Sequence, residues 1–131
     1  MYRIGRYLVC LSLFATLLLP FEAAATTPEA LLQTINHLLQ YVKESNCVFI
    51  RNGKEYDSKE AAEHIKMKYD AFTFDITTPE EFIELVASKS SLSGRPYFVR
   101  CVDHSLTPSA DWLTKELSNY RMALHDKAFI K

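Results

Sequence analysis

Three side chains at helical spacing could carry out acid–base or binding chemistry. Glu60, His64 and Lys68 follow one another at intervals of four residues, so a helix would place them in one row on the edge of its apolar face. A histidine beside a lysine could transfer protons or bind an anion. The same spacing is more often a row of solvated ion pairs. Spacing alone leaves both interpretations open.

A serine-rich segment at residues 88–96 is the most unusual stretch of the chain. It contains four serines followed by a glycine and an arginine, namely Ser88, Ser90, Ser91, Ser93, Gly94 and Arg95. Backbone N–H groups, hydroxyls and the guanidinium could hold a phosphate or carboxylate, and one serine could be a nucleophile activated by His64. The segment matches neither a G-x-S-x-G elbow, nor S-x-x-K, nor a phosphate-binding P-loop. A polar turn with a left-handed Gly94 is the simpler interpretation.

Arginine and aromatic side chains provide a third set of candidates. Arg51, Tyr56 and Trp112 are of the types enriched at binding hot spots, and a surface combining them would suit a protein or peptidoglycan partner. Tyr56 is explained equally well as a cross-strand partner of Phe49, and Trp112 as the anchor of the last helix. We favour the core interpretation for Trp112.

Metal ions, cofactors and nucleic acids are not indicated. His37, His104 and His125 have no paired spacing with His64, and the chain lacks H-E-x-x-H, C-x-x-C and EF-hand patterns. The formal net charge is −1, and no basic stripe provides the electrostatic footprint of a nucleic-acid or anionic-membrane binder. We therefore predict no metal, no cofactor and no nucleic-acid partner.

The first predicted elements are a helix and a β-hairpin. Thr27, followed by proline and glutamate, is a helix start signal, and apolar residues then recur at spacings of three and four until about Glu44. Asn52-Gly53 between two short runs predicts a two-residue hairpin loop, which places Phe49 opposite Tyr56.

Two capping boxes predict the next helices. Asp57 with Glu60 begins a helix that runs to about Tyr69, and Thr78 with Glu81 begins another that ends near residue 88.

The C-terminal part predicts a second hairpin and a last helix. Residues 97–102 read as a strand, residues 106–107 as its short return strand, and Ser109 as the cap of the last helix. The inward face of that helix would consist of apolar and aromatic residues, Trp112, Leu113, Leu117, Tyr120 and Leu124. The predicted fold is a single α+β domain, in which a small antiparallel sheet of two hairpins packs with about four helices.

The N-terminus has the form of a secretory signal peptide. Arg3 and Arg6 precede an apolar run at residues 8–20, and three alanines ending at Ala25 provide an A-x-A site. The run is shorter than the roughly 20 residues of a membrane-spanning helix. We predict cleavage after residue 25, an exported protein comprising residues 26–131, and no membrane span after cleavage.

Two cysteines remain after that cleavage, Cys47 and Cys101. Thiols outside the cytosol are usually paired, so one disulfide is predicted in preference to a metal pair or a catalytic thiol. The bond would close a long loop and contribute about 4 kcal/mol. If the two cysteine-bearing strands are antiparallel neighbours, the sulfur atoms come within bonding distance.

The order of motifs along the chain is distinctive. C-V-F-I-R-N-G at residues 47–53 is followed by E-A-A-E-H at 60–64, S-K-S-S-L-S-G-R-P-Y at 88–97 and W-L at 112–113. This order resembles an uncharacterised family of exported bacterial proteins, the domain of unknown function family 5329. The resemblance ends at Arg121 and leaves the tail, residues 122–131, outside. It implies a bacterial source and the periplasm, and it brings no activity with it.

Without a catalytic signature, the sequence favours non-catalytic binding of a protein or cell-envelope component. The candidate binding residues come from the hairpin, the second helix and the serine-rich segment: Arg51, Tyr56, His64, Lys68, Ser90, Ser91, Ser93, Gly94 and Arg95. The alternative is a small periplasmic hydrolase that uses a serine of residues 88–93 with His64. A pocket holding His64, such a serine and a carboxylate within hydrogen-bond reach would favour the hydrolase.

Overall fold

The computed structural model describes residues 27–102 and 105–130, and the predicted signal peptide lies outside the described residues. Within these ranges the chain forms four α-helices and four strands, which are α1 (Pro28–Glu44), β1 (Val48–Arg51), β2 (Lys54–Tyr56), α2 (Ser58–Phe72), α3 (Pro79–Phe82), β3 (Phe98–Arg100), β4 (Thr107–Pro108) and α4 (Ser109–Phe129). A 3₁₀ turn, Thr73–Asp75, follows α2, and a π-helical turn, Ile83–Ala87, continues α3. The predicted α+β class is confirmed.

The sheet is antiparallel throughout and has the strand order β2-β1-β3-β4. The predicted hairpin register is confirmed, since Phe49 pairs with Tyr56 and Arg51 with Lys54. Asn52 and Gly53 both have positive φ, as a two-residue type I′ loop requires. The two hairpins therefore lie side by side, and β1 is paired on both edges.

A disulfide joins the start of β1 to the end of β3. Val48 pairs with Arg100, so Cys47 and Cys101 flank a matched position of neighbouring antiparallel strands, and the two cysteines are bonded. The predicted cystine is confirmed, and its position follows from strand register.

Both predicted capping boxes are present. The Asp57 carboxylate accepts from the N–H groups of Lys59 and Glu60, and the Glu60 side chain accepts from the Asp57 N–H. Thr78 and Glu81 make the equivalent pair of bonds at the start of α3. These local bonds satisfy N–H groups that a helix leaves without intrahelical partners, and they fix where α2 and α3 begin.

The core lies where the four helices meet one face of the sheet. Its most deeply buried apolar side chains come from α1, α3 with its π-turn, β3 and α4, and include Ile35, Leu38, Val42, Phe82, Val86, Val99, Leu113 and Leu117. No helix in the two described ranges is both long and apolar enough to cross a membrane.

The last helix corrects two sequence-based expectations. Pro108 occupies the N-cap position, and Ser109 is instead the first helical residue, buried, with its hydroxyl donating to the Ala87 carbonyl at 2.9 Å. Leu124 is 46% exposed because α4 continues beyond the body of the domain, where residues 121–130 are all exposed. Ser109 therefore connects α4 to the π-turn, and Leu124 is not a core residue.

Candidate functional site

A cleft of about 330 Å³ opens where three segments meet. The β1–β2 hairpin supplies Arg51 and Asn52, and α2 supplies His64 and Lys68. The serine-rich segment and the residue just before β3 supply Ser90, Ser91, Leu92 and Tyr97. These segments are far apart in sequence, so the cleft depends on tertiary packing.

The serine-rich segment is a closed, hydrogen-bonded loop. Its ends are joined by a bridge between Lys89 and Pro96, and the Ser90 N–H donates to the Arg95 carbonyl at 2.9 Å. Gly94 has φ +68° and donates its N–H back to the Ser90 carbonyl at 2.9 Å. The left-handed Gly94 predicted from the sequence is confirmed, and it lets the loop close tightly.

One contact ties this loop to the hairpin. The Ser93 hydroxyl donates to the Asn52 side-chain oxygen at 3.0 Å. Asn52 is also the first residue of the hairpin turn, so the contact holds two of the three walls of the cleft together.

Lys68 is a buried cation on the third wall. Its side chain is 8% exposed, and its ammonium donates to the Lys89 carbonyl at 2.7 Å and lies 5.3 Å from the centroid of the Tyr97 ring. Burial, reinforced by the nearby charges of Arg51 and Lys89, lowers the pKa of Lys68 from its ordinary 10.5 to about 8. No ion pair involves Lys68 within the described ranges.

Lys68 takes no part in a row of solvated ion pairs within the described residues, which was one of the two interpretations of Glu60, His64 and Lys68. Glu60 is occupied at the start of α2 with the Asp57 N–H, and Lys68 is covered by the serine-rich loop. Sequence spacing showed that the residues share a side of the helix, but the loop that covers Lys68 comes from a distant segment.

His64 lies near Arg51 and Lys68 in the same cleft. Its Nε2 is 3.4 Å from the Tyr97 hydroxyl, and its ring meets the Tyr97 ring edge to face. Burial lowers the pKa of His64, and the charges of Arg51 and Lys68 lower it further. Burial also raises the pKa of the Tyr97 hydroxyl, which keeps that group protonated near neutral pH.

Arg51 completes the cluster of positive charge. Its guanidinium lies 4.3 Å from the centroid of the Tyr56 ring, which supports the guanidinium plane through a cation–π contact. None of the described side chains lining the cleft is an aspartate or glutamate. The neighbouring Lys89 ammonium, in contrast, has a partner in Glu84 at 3.5 Å. Arg51, His64 and Lys68 thus face one cleft without a carboxylate among its lining.

Part of the hydrolase arrangement is also present. Ser90 and Ser91 share the cleft with His64. The Ser90 hydroxyl accepts from the Ser93 N–H at 3.3 Å, and His64 has Tyr97 as its side-chain neighbour. The lining described here contains no carboxylate that could orient the imidazole as a general base.

The remaining candidate residues have other positions. Ser93, Gly94 and Arg95 are exposed and do not line the cleft, although the first two shape the loop beside it. Tyr56 borders the cleft through its contact with Arg51. Trp112 lies apart from the cleft, and its ring stacks on Tyr41 at 4.5 Å and packs partly buried against the core.

Sequence reasoning missed three lining residues, namely Asn52, Leu92 and Tyr97. Asn52 carried only a turn signal and Tyr97 only a strand signal, while Leu92 had no signal beyond its place among the serines. No local pattern identifies these roles, because each depends on the loop meeting α2 and the hairpin.

Metal binding finds no support in residues 27–102 and 105–130. These ranges contain no group of three or more His, Cys, Asp or Glu side chains that could hold an ion. His37 instead pairs with Glu116 at 2.7 Å and stacks on Tyr120 between α1 and α4. His104 lies outside the described residues.

Comparison with known proteins identifies the family. Residues 29–121 match the model of the Family of unknown function (DUF5329). The chain belongs to this family. It is also 34% identical over 91 residues to the Uncharacterized protein YfeK of Salmonella typhimurium (strain LT2), an alignment that covers 69% of this chain and 74% of the relative. No solved structure matches the chain. All the cleft residues lie inside the matched range, and the last part of α4 lies beyond it.

Proposed function

We propose that this protein is a non-catalytic binding protein that holds an anionic group, a carboxylate or a phosphate, in the cleft between Arg51, His64 and Lys68. The observation that supports this most directly is Lys68, a buried ammonium beside a second cation, with no carboxylate in the described lining. An unpaired buried charge is costly, so folds retain one mainly where something else compensates it. An anionic ligand would be that missing counter-ion.

The donors available in the cleft suit an anion. The Lys68 ammonium donates one N–H to the Lys89 carbonyl, which leaves two N–H donors for a ligand. Arg51 presents a planar set of donors that matches a carboxylate or phosphate. Ser90 and Ser91 add hydroxyl groups at the rim. Charge-assisted bonds of this kind are shorter and stronger than neutral ones.

The proposal includes location. We propose that residues 1–25 are removed as a signal peptide and that the protein works in the bacterial periplasm, where it recognises a protein or another envelope component through the anionic group. The charged N-terminal segment followed by an apolar run supports export. The Cys47–Cys101 disulfide is compatible with an oxidising compartment.

The direct test is anion binding by the purified protein with its disulfide intact. Sodium acetate and sodium phosphate are titrated by calorimetry against a constant chloride background. We expect saturable binding that Lys68→Met weakens at least tenfold, because a charge-assisted bond contributes about 1.5–3 kcal/mol. Lys66→Met, an exposed lysine of the same helix, is the matched control and should bind as the wild type does. Absence of saturable binding, or equal binding by Lys68→Met, would contradict the proposal.

Binding should also depend on pH in a direction that Lys68 sets. Its pKa of about 8 means that the ammonium loses its charge as the pH rises from 7 to 9. Only the charged form attracts an anion strongly, so acetate affinity should fall about tenfold over that interval. Acetate itself stays ionised throughout. An affinity that is constant between pH 7 and pH 9 would show that Lys68 is not the main contact.

A hydrolase remains the second candidate, because His64 shares the cleft with Ser90 and Ser91. The discriminating measurement is turnover of 4-nitrophenyl acetate by wild type, Ser91→Ala, Ser90→Ala and His64→Gln. Binding without catalysis predicts no turnover above the buffer rate in any of the four. Turnover in the wild type that disappears in His64→Gln and one serine variant would establish the hydrolase instead.

A further inference from the structure

A narrow apolar slot of about 20 Å³ adjoins the cleft and shares three of its residues. Arg51, His64 and Tyr97 line both spaces. The far side of the slot is formed by apolar residues of β1, α2 and the π-turn, among them Phe49, Ala61, Ile65 and Ala87. The apolar recess and the cleft therefore adjoin each other at Arg51, His64 and Tyr97.

The size of the slot restricts what can enter it. The slot offers about 20 Å³ where the cleft offers about 330 Å³, so it suits a group of the size of a methyl and not a branched side chain. Because Phe49 and Ile65 are buried and Ala87 is 1% exposed, the walls belong to the core and cannot widen cheaply. The slot thus selects by size as well as by polarity.

We infer that the anion is a carboxylate with a methyl group on the adjacent carbon, as at the C-terminus of a peptide that ends in alanine. This inference rests on the proposed function, since it needs Arg51 and Lys68 to hold the carboxylate. Inorganic phosphate satisfies the charge but leaves the slot empty. A C-terminal alanine places its carboxylate in the cleft and its methyl group in the slot. The cleft also has room for the preceding residues of the bound peptide, beside the fully exposed Leu92.

The test compares small acids that differ only in the group beside the carboxylate. N-acetyl-alanine, in both enantiomers, N-acetyl-glycine and N-acetyl-leucine are titrated calorimetrically into the protein, with sodium phosphate as the fourth anion. Burying one methyl group predicts that one enantiomer of acetyl-alanine binds about three- to fivefold more tightly than acetyl-glycine. Acetyl-leucine should bind more weakly than acetyl-alanine, because the slot cannot hold its side chain.

Two variants of one wall residue test the slot without touching a charged group. Ala61→Val fills the recess and should bring the alanine-to-glycine affinity ratio to about one. Ala61→Gly enlarges the recess and should shift the preference towards N-acetyl-2-aminobutyrate. The second variant carries the test if Ala61→Val does not fold, because Ala61 is buried in α2 and overpacking there is destabilising.

The outcomes separate this inference from the proposed function. Equal binding of acetyl-alanine and acetyl-glycine by the wild type, together with saturable binding of both, overturns the methyl slot and leaves anion binding intact. A ratio that persists in Ala61→Val also overturns it. Failure of all four anions to bind overturns the proposed function as well.

Discussion

Replacing Lys68 with methionine should stabilise the unliganded protein at pH 7. Lys68 is buried near Arg51 and Lys89, so the native state holds an ammonium that is less favourable there than in water. Methionine has a similar length and no charge, and it fills irregular gaps well. Such a gain in stability would indicate that Lys68 is retained for function and not for stability.

The magnitude follows from the pKa. A decrease from 10.5 to about 8 means that keeping Lys68 charged at pH 7 costs the native state at most about 3 kcal/mol, at about 1.4 kcal/mol per tenfold change. Methionine also removes the donor to the Lys89 carbonyl, and a lost hydrogen bond to a buried group costs about 1–2 kcal/mol. The net expectation is a gain of about 1–2 kcal/mol in the free energy of unfolding.

The lowered pKa of Lys68 also determines the direction in which the free energy of unfolding changes with pH. Between about pH 8 and pH 10.5 the unfolded chain keeps the Lys68 proton while the native state loses it, so wild-type stability rises with pH relative to the variant. The stability difference should therefore move by about 2 kcal/mol in favour of the wild type between pH 7 and pH 9.5. Urea unfolding at the two pH values measures it.

Lys66→Met is the control for this experiment. Lys66 lies on the exposed side of α2, where it pairs with Asp70 four residues on. Its replacement should change the free energy of unfolding by less than about 0.5 kcal/mol at either pH. If Lys68→Met instead destabilises the protein by more than 1 kcal/mol and the difference is constant with pH, the lysine is a structural donor and the reasoning fails.

The two other stability predictions concern the disulfide and α4. A thiol titration of the unreduced protein, without its first 25 residues, should find no free thiol, and two reactive thiols would contradict the pairing. Replacing both Cys47 and Cys101 with serine should lower the free energy of unfolding by about 4 kcal/mol, because the bond closes a loop of 54 residues. Ser109→Ala should cost about 1–3 kcal/mol in thermal or urea unfolding, since it leaves the buried Ala87 carbonyl without its hydroxyl donor. Ser118→Ala removes an exposed hydroxyl of the same helix and should lower the free energy of unfolding by less than about 0.5 kcal/mol. Equal losses in the two variants would show that the Ser109 hydrogen bond does not stabilise the fold more than an exposed one.

The features that the sequence predicts correctly depend on residues that lie close together in the chain. The hairpin register follows from Asn52-Gly53, because positive φ at two adjacent residues permits few alternatives. The start of α2 follows from Asp57 and Glu60 in the same way. The disulfide needed one long-range step, the pairing of β1 with β3, and the predicted cleavage after residue 25 leaves Cys47 and Cys101 no third cysteine as an alternative partner.

The chemistry of the cleft could not be predicted by the same route. The spacing of Lys68 on its own helix leaves open whether the ammonium is solvated or covered, because the carbonyl that accepts from it lies 21 residues away in the chain. Serine commonly caps helices, which predicts Ser109 as a cap, yet its hydroxyl donates to a carbonyl 22 residues earlier. In both cases the side chain bonds to the backbone of a distant segment.

The fold itself holds the three walls of the cleft in place, which lowers the entropic cost of binding a small ligand. β1 is paired with a strand on each edge, so the strand that ends at Arg51 is held in place by both neighbours. α2 begins at a capping box and carries Lys68 three turns later, and the serine-rich loop is closed by its own backbone bonds. Ordering mobile groups is a main cost of association. A preformed cleft avoids most of this cost, so the proposed contacts with one charged group and one methyl group predict selective binding of a small ligand.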